Sequence, residues 1–168
     1  MIRTALVDRP IGPAELLAEV AANGNGATSL FLGTVRDLND GRAVTGIEYS
    51  AYAGMAAAEM ARIAEEARTR FGIATLALEH RTGALGLGDI SVAIAVAHPH
   101  RGPALDATSY VIEQLKQRVP IWKRELYADG TREWVDATIS AGTPPRITDP
   151  PYRARTTNAV LAVADELR

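Results

Sequence analysis

The two lysines of this 168-residue chain are Lys116 and Lys123, in the stretch Leu115-Lys-Gln-Arg-Val-Pro-Ile-Trp-Lys-Arg-Glu125. Every other basic residue, of 18 in total, is arginine. The difference is chemical. An amine can lose its proton, attack an acyl carbon or form an imine, whereas a guanidinium stays protonated. Lys116, Arg118, Lys123 and Arg124 crowd together with Glu125 as the one acid of the stretch. Mutual repulsion favours neutral amines. The C-terminus of a preceding helix opposes this at Lys116 by stabilising the ammonium. The plain alternative is a basic helix end followed by a solvated strand, with Trp122 an ordinary core aromatic.

Two further places could bind an anion. His100-Arg101-Gly102 falls where an apolar strand meets the start of a long helix. Free backbone N–H groups and the helix dipole favour negative charge there, and Arg101 adds a planar fork suited to phosphate. An exposed loop with a solvated arginine is the equal alternative. Arg36 ends the strand Phe31-Leu-Gly-Thr-Val and offers a second guanidinium, although arginine is commonplace at strand ends. Taken together, Arg36, His100, Arg101 and the lysines would form one positive pocket on a weakly acidic protein. Such a pocket suits a small phosphorylated substrate. His98-Pro99-His100 does not make a metal site, because no cysteine or nearby acidic cluster completes a ligand set. Gly83-Ala-Leu-Gly-Leu-Gly88 has the wrong glycine spacing for a dinucleotide loop and precedes a strand, so it reads as a turn.

The elements that must position these residues are legible as hydrophobic patterns. Strands are expected over 2–7, 27–35, 44–52, 74–81, 90–97, 121–127 and 133–139. The strands at 27–35 and 44–52 are expected to pair across the turn at Asp37–Gly41. Helices are expected from Pro13 to Asn23-Gly24, over 54–70 and over 103–119, the last with Leu105, Thr108, Ile112, Leu115 and Val119 on one stripe. Prolines 144, 145, 150 and 151 make a stiff linker, followed by a short helix over 157–167. The mixture of strands and turn-like connections indicates an α+β fold: a mixed, mostly antiparallel sheet, two long helices and a small β subdomain. A catalytic domain over 1–141 and an extension over 142–168 are expected.

Composition removes several classes of function. Zero cysteines exclude disulfides, thiolate metal sites and a cysteine nucleophile, so any sulfur handled here arrives on another molecule. A net charge of −2 argues against nucleic-acid binding. No apolar run approaches the ~20 residues that cross a membrane. The N-terminus lacks a secretory pattern, so a cytoplasmic location is expected.

An ordered set of motifs then carries a resemblance. It comprises Phe31-Leu-Gly-Thr-Val-Arg36, Glu48-Tyr-Ser-Ala-Tyr-Ala-Gly-Met55, His80-Arg-Thr-Gly83 with Gly88-Asp89, His100-Arg101, and K-x6-K ending in Pro120-Ile-Trp-Lys-Arg-Glu125. Over about residues 1–140 the chain resembles the MoaE family, the large catalytic subunit of molybdopterin synthase. The resemblance implies an α/β-hammerhead fold, a homodimer, and a small ubiquitin-like (MoaD-like) sulfur-carrier subunit. That partner's C-terminal Gly-Gly thiocarboxylate delivers sulfur to cyclic pyranopterin monophosphate, forming the molybdopterin dithiolene. It also implies catalytic roles for Lys116 and Lys123, substrate binding by Arg36, His100 and Arg101, and an aromatic at Phe31 beside the tail or substrate. No metal and no cofactor is implied. The chain departs from the family pattern at Thr138, where an arginine contributed across the dimer is expected. A scaffold that binds a ubiquitin-like partner without catalysis is the competing reading.

Overall fold

The computed structural model describes residues 1–135 and 161–163. Ten strands and three helices are formed among them, in the order β1 (Ile2–Val7), α1 (Pro13–Val20), β2 (Ala27–Thr34), β3 (Leu38–Asn39), β4 (Arg42–Ala51), α2 (Ala53–Phe71), β5 (Thr75–Arg81), β6 (Gly83–Gly86), β7 (Ile90–His98), α3 (Arg101–Arg118), β8 (Ile121–Tyr127), β9 (Arg132–Val135) and β10 (Leu161–Val163). The class is α+β. The first sheet has the order β1-β5-β7-β2-β10, parallel only between β1 and β5. The second runs β3-β4-β8-β9, with β6 also paired to β4.

The central strand β7 shows why an unbroken apolar run suits a sheet covered on both faces. Val92, Ile94 and Val96 enter the main core with α2 and α3, while Ala93, Ala95 and Ala97 face the smaller cluster around Leu16 and Val20 of α1. Branched side chains fill the wide gap under two long helices, and alanines let the short helix approach closely. Helix α2 ends at Gly72, whose φ of 69° is the left-handed conformation glycine adopts most cheaply.

Several expectations from sequence are corrected here. Strands β2 and β4 do not pair; β2 lies beside β7 in one sheet, and β4 lies beside β8 in the other. The partner of β4 across the Asp40-Gly41 turn is the two-residue β3. The glycine-rich turn contains strand β6, which pairs with β4. A Cβ at Gly46 would lie 2.8 Å from the Leu85 carbonyl oxygen, so glycine is what allows β4 and β6 to meet there. Helix α3 begins at Arg101 rather than Pro103. Of the helix expected over 157–167, only 161–163 are described, and these are a strand against β2, where a free edge offers unpaired backbone groups. The rest of that extension, the linker prolines and Thr138 lie outside the described residues.

His80 on β5 is the one buried histidine among the described residues, packed edge-on against Tyr49 at 5.2 Å. Burial lowers its pKa from 6.5 to about 4 despite a hydrogen bond to the Arg81 carbonyl. The unfolded chain takes up a proton that the folded ring refuses. Stability attributable to this group therefore falls by about 3 kcal/mol as pH drops from its unfolded to its folded value. Denaturant midpoints of wild type and His80→Phe at about pH 7 and about pH 4.5 check this. The stability difference should move in favour of the variant at the lower pH, and a pH-independent difference would contradict it.

Candidate functional site

On β8 the side chains alternate. Ile121, Glu125 and Tyr127 are buried, with Lys123 beside them, while Trp122 is about half exposed on the opposite face. Trp122 is thus not the core aromatic that the plain reading would make it. The side chain of Lys123 is only 13% exposed, and its Nζ donates to Glu125 Oε1 at 3.1 Å. Glu125 is almost fully buried and is the hub of the site. Its Oε2 accepts from the Tyr127 hydroxyl at 2.7 Å and from Asn39 Nδ2 at 2.9 Å. Asn39 Oδ1 in turn accepts from Arg36 Nη2 at 3.1 Å. An unbroken polar chain runs Arg36–Asn39–Glu125–Lys123.

Burial by itself would raise the Glu125 carboxyl. The hydrogen bonds from Tyr127 and Lys123, reinforced by Asn39, outweigh it and hold the carboxyl below its usual range. The same bond holds the Tyr127 hydroxyl above its usual value. The Arg42 guanidinium lies 3.5 Å from the centre of the Tyr127 ring and covers the network from outside. A buried carboxylate with three donors is a stable anion.

Lys116 is exposed in the last turn of α3. Strand β7 feeds α3 through Pro99 and His100 alone, so α3 runs back along β7 and β2 and its C-terminal end returns toward the end of β2 that leads to Arg36. Phe31 is buried in the main core with Leu115 and Ile121, which flank the two lysines in sequence. Lys116, Lys123 and Arg36 therefore belong to one end of the molecule, while Phe31, paired with Ile94 at the middle of β2, lies in the core beneath.

His100 and Arg101 belong to the other end. His100 is the N-cap of α3 and Arg101 its first residue, both exposed, with no side chain capping the helix. The 18 residues of α3 put about 27 Å between its ends at 1.5 Å per residue. One chain does not bring His100 and Arg101 to the lysines. The His98 ring is occupied locally, its Nδ1 accepting the His100 backbone N–H at 2.9 Å.

Comparison with known proteins agrees with this architecture. The sequence profile described as MoaE protein matches residues 6–118. The molybdopterin synthase catalytic subunit of Bacillus subtilis is 38% identical over 135 residues, covering 80% of this chain and 85% of that one. The chain belongs to the MoaE family. The crystal structure of molybdopterin synthase from Staphylococcus aureus matches with a TM-score of 0.74 at 35% identity, over 77% of this chain and 94% of that one. A chain from the complex of subunits 1 and 2 of molybdopterin-converting factor of Helicobacter pylori shares the fold at 24% identity, with a TM-score of 0.66, over 79% of this chain and 89% of that one. As a MoaE-family chain it is an enzyme subunit, and sulfur transfer is the reaction class that goes with that membership.

The profile match stops at residue 118, short of Lys123. Sequence reasoning on this MoaE chain named both lysines and Arg36 but missed Asn39 and Tyr127, and read Glu125 only as a lone acid. Glu125 carried a signal: an acid two residues from a lysine on one strand shares its face. Asn39 carried none, because it is 86 positions from its partner.

Proposed function

We propose that the chain is the large, catalytic subunit of molybdopterin synthase. It transfers sulfur from the thiocarboxylated C-terminus of a small ubiquitin-like subunit to cyclic pyranopterin monophosphate, forming the dithiolene. The observation that carries this reading is the polar chain from Arg36 to Lys123 at the end of the molecule where α3 presents Lys116. A guanidinium for a phosphate, a shielded ammonium and an exposed amine are the groups such a reaction needs.

Lys116, exposed, approaches the terminal carbon of the partner's tail as acid/base or transient acyl acceptor. Lys123 protonates or orients the pterin, and Arg36 binds its phosphate. Phe31 backs the site from the core. Because the length of α3 keeps them from the lysines of their own chain, His100 and Arg101 reach a site only if a second copy brings its own α3 N-terminus there. A homodimer of large subunits carrying a small subunit on each copy is the assembly this requires, acting in the cytoplasm.

The test mixes the chain with a thiocarboxylated small subunit and cyclic pyranopterin monophosphate, then looks for dithiolene product. Product is expected. Tight complex formation with no product would overturn the catalytic reading in favour of a scaffold. Arg101→Ala mixed with Lys116→Ala should regain part of the activity each lacks alone, because one mixed dimer then carries one intact composite site.

A further inference from the structure

Asn39 links two groups whose mutual position matters and whose chemistry is opposite. On one side is the Arg36 guanidinium, which only donates; on the other is the Glu125 carboxylate, which only accepts. A primary amide satisfies both in just one orientation. The carbonyl oxygen faces Arg36 at 3.1 Å and the NH2 group faces Glu125 at 2.9 Å. Flipped, it would set donor against donor and acceptor against acceptor. The backbone holding it is equally constrained. Asn39 is the last residue of β3, and the Asp40-Gly41 turn that follows has φ of 49° and 78°, the pair of positive values of a type I′ two-residue hairpin.

We propose that Asn39 is a positioning residue of the sulfur-transfer site, fixing the anion-binding Arg36 and the Glu125–Lys123 pair in one frame. The inference rests on the assignment of Arg36 and Lys123 to that site. Asn39 touches neither the substrate nor the reacting atoms. It acts through Arg36 on one side and through Glu125 on the other. By donating to Glu125 it also helps keep that carboxylate ionised, and so keeps the Lys123 ammonium paired.

Asn39→Asp tests this with almost no change of shape. The introduced carboxylate still accepts from Arg36, but while ionised it cannot donate to Glu125. Two carboxyls at that separation do not both ionise readily, so the pair retains one proton to a raised pH. While the proton is present, one carboxyl donates to the other and the native pattern is reproduced. Once it leaves, the carboxylates repel and the frame opens. The variant should therefore approach wild-type turnover at low pH and lose at least tenfold as pH rises through the shared titration, over a range where wild type does not. Asn39→Ala should raise KM for the pterin about tenfold, the effect of one lost hydrogen bond to a charged group, with a smaller change in kcat.

A merely structural asparagine would lower stability and activity by the same factor at every pH. Wild-type pH profile and KM in folded Asn39→Asp and Asn39→Ala would overturn the proposal. If Asn39→Asp fails to fold, the KM-against-kcat split of Asn39→Ala decides alone. Lys123→Ala separates the two levels of the argument. Full product formation by that variant would remove the site assignment itself, whereas its loss alongside unchanged Asn39 variants would remove only the role of Asn39.

Discussion

Lys116→Arg is expected to lose product formation by a factor of about 100 or more, the lower range of what one positioned acid or base contributes. The substitution leaves the fold alone. Lys116 is exposed in the last turn of α3, where a guanidinium is as favourable as an ammonium against the helix dipole. The neighbouring Arg118 already holds that turn to α2 through Glu59 and Glu66. Charge and anchoring are therefore conserved, and what disappears is the proton that can leave. Single-turnover product formation from thiocarboxylated small subunit is the measurement, with complex formation as the control. Undiminished product from Lys116→Arg would show that charge alone suffices and would end its role as acid/base or acyl acceptor.

Glu125→Ala is expected to cost both stability and turnover. Removing the carboxylate leaves the Lys123 ammonium, the Tyr127 hydroxyl and the Asn39 amide converging on an empty site. Breaking a buried ion pair from one side costs about 3–5 kcal/mol, because the surviving charge stays out of water without compensation. Since Lys123 retains some exposure, the lower figure applies. Denaturant unfolding at unchanged slope measures the first effect. The pH dependence follows from the lowered Glu125 carboxyl. Its stabilisation is fully present above the ordinary glutamate range and is lost as pH falls through the folded value. Wild type should therefore weaken on acidification through this group, and Glu125→Ala should lack that component. Equal acid sensitivity in both would contradict the network.

Much of this architecture was legible because its signals are local. The run Ile90–Ala97 announced a strand covered on both faces, and the Ala- and Glu-rich segment ending at Gly72 announced α2 within a residue of each boundary. The errors lie where structure depends on distant partners. Strand β6 is glycine-rich and has no β-branched residue, so only its pairing with β4 makes it a strand. Strands β2 and β4 are neighbours in sequence, yet each pairs with a strand far along the chain. At the site, residue type singled out the lysines, whereas Asn39 became visible only through a contact. The separation of Arg101 from Lys116 was available earlier, since the expected helix between them already implied a long rise.

The hairpin that carries Asn39 has a further consequence for how this site can vary. Side chains on a strand alternate faces, so moving Asn39 by one position along β3 would turn its amide away from Glu125. Adding or deleting one residue between Asn39 and Arg42 would do this, whereas changing Asp40 to another residue that accepts a positive φ would not. The guanidinium and the ammonium are thus kept in step by the length of a turn more than by its composition, and a loop that looks dispensable on the surface sets the spacing of the chemistry beneath it.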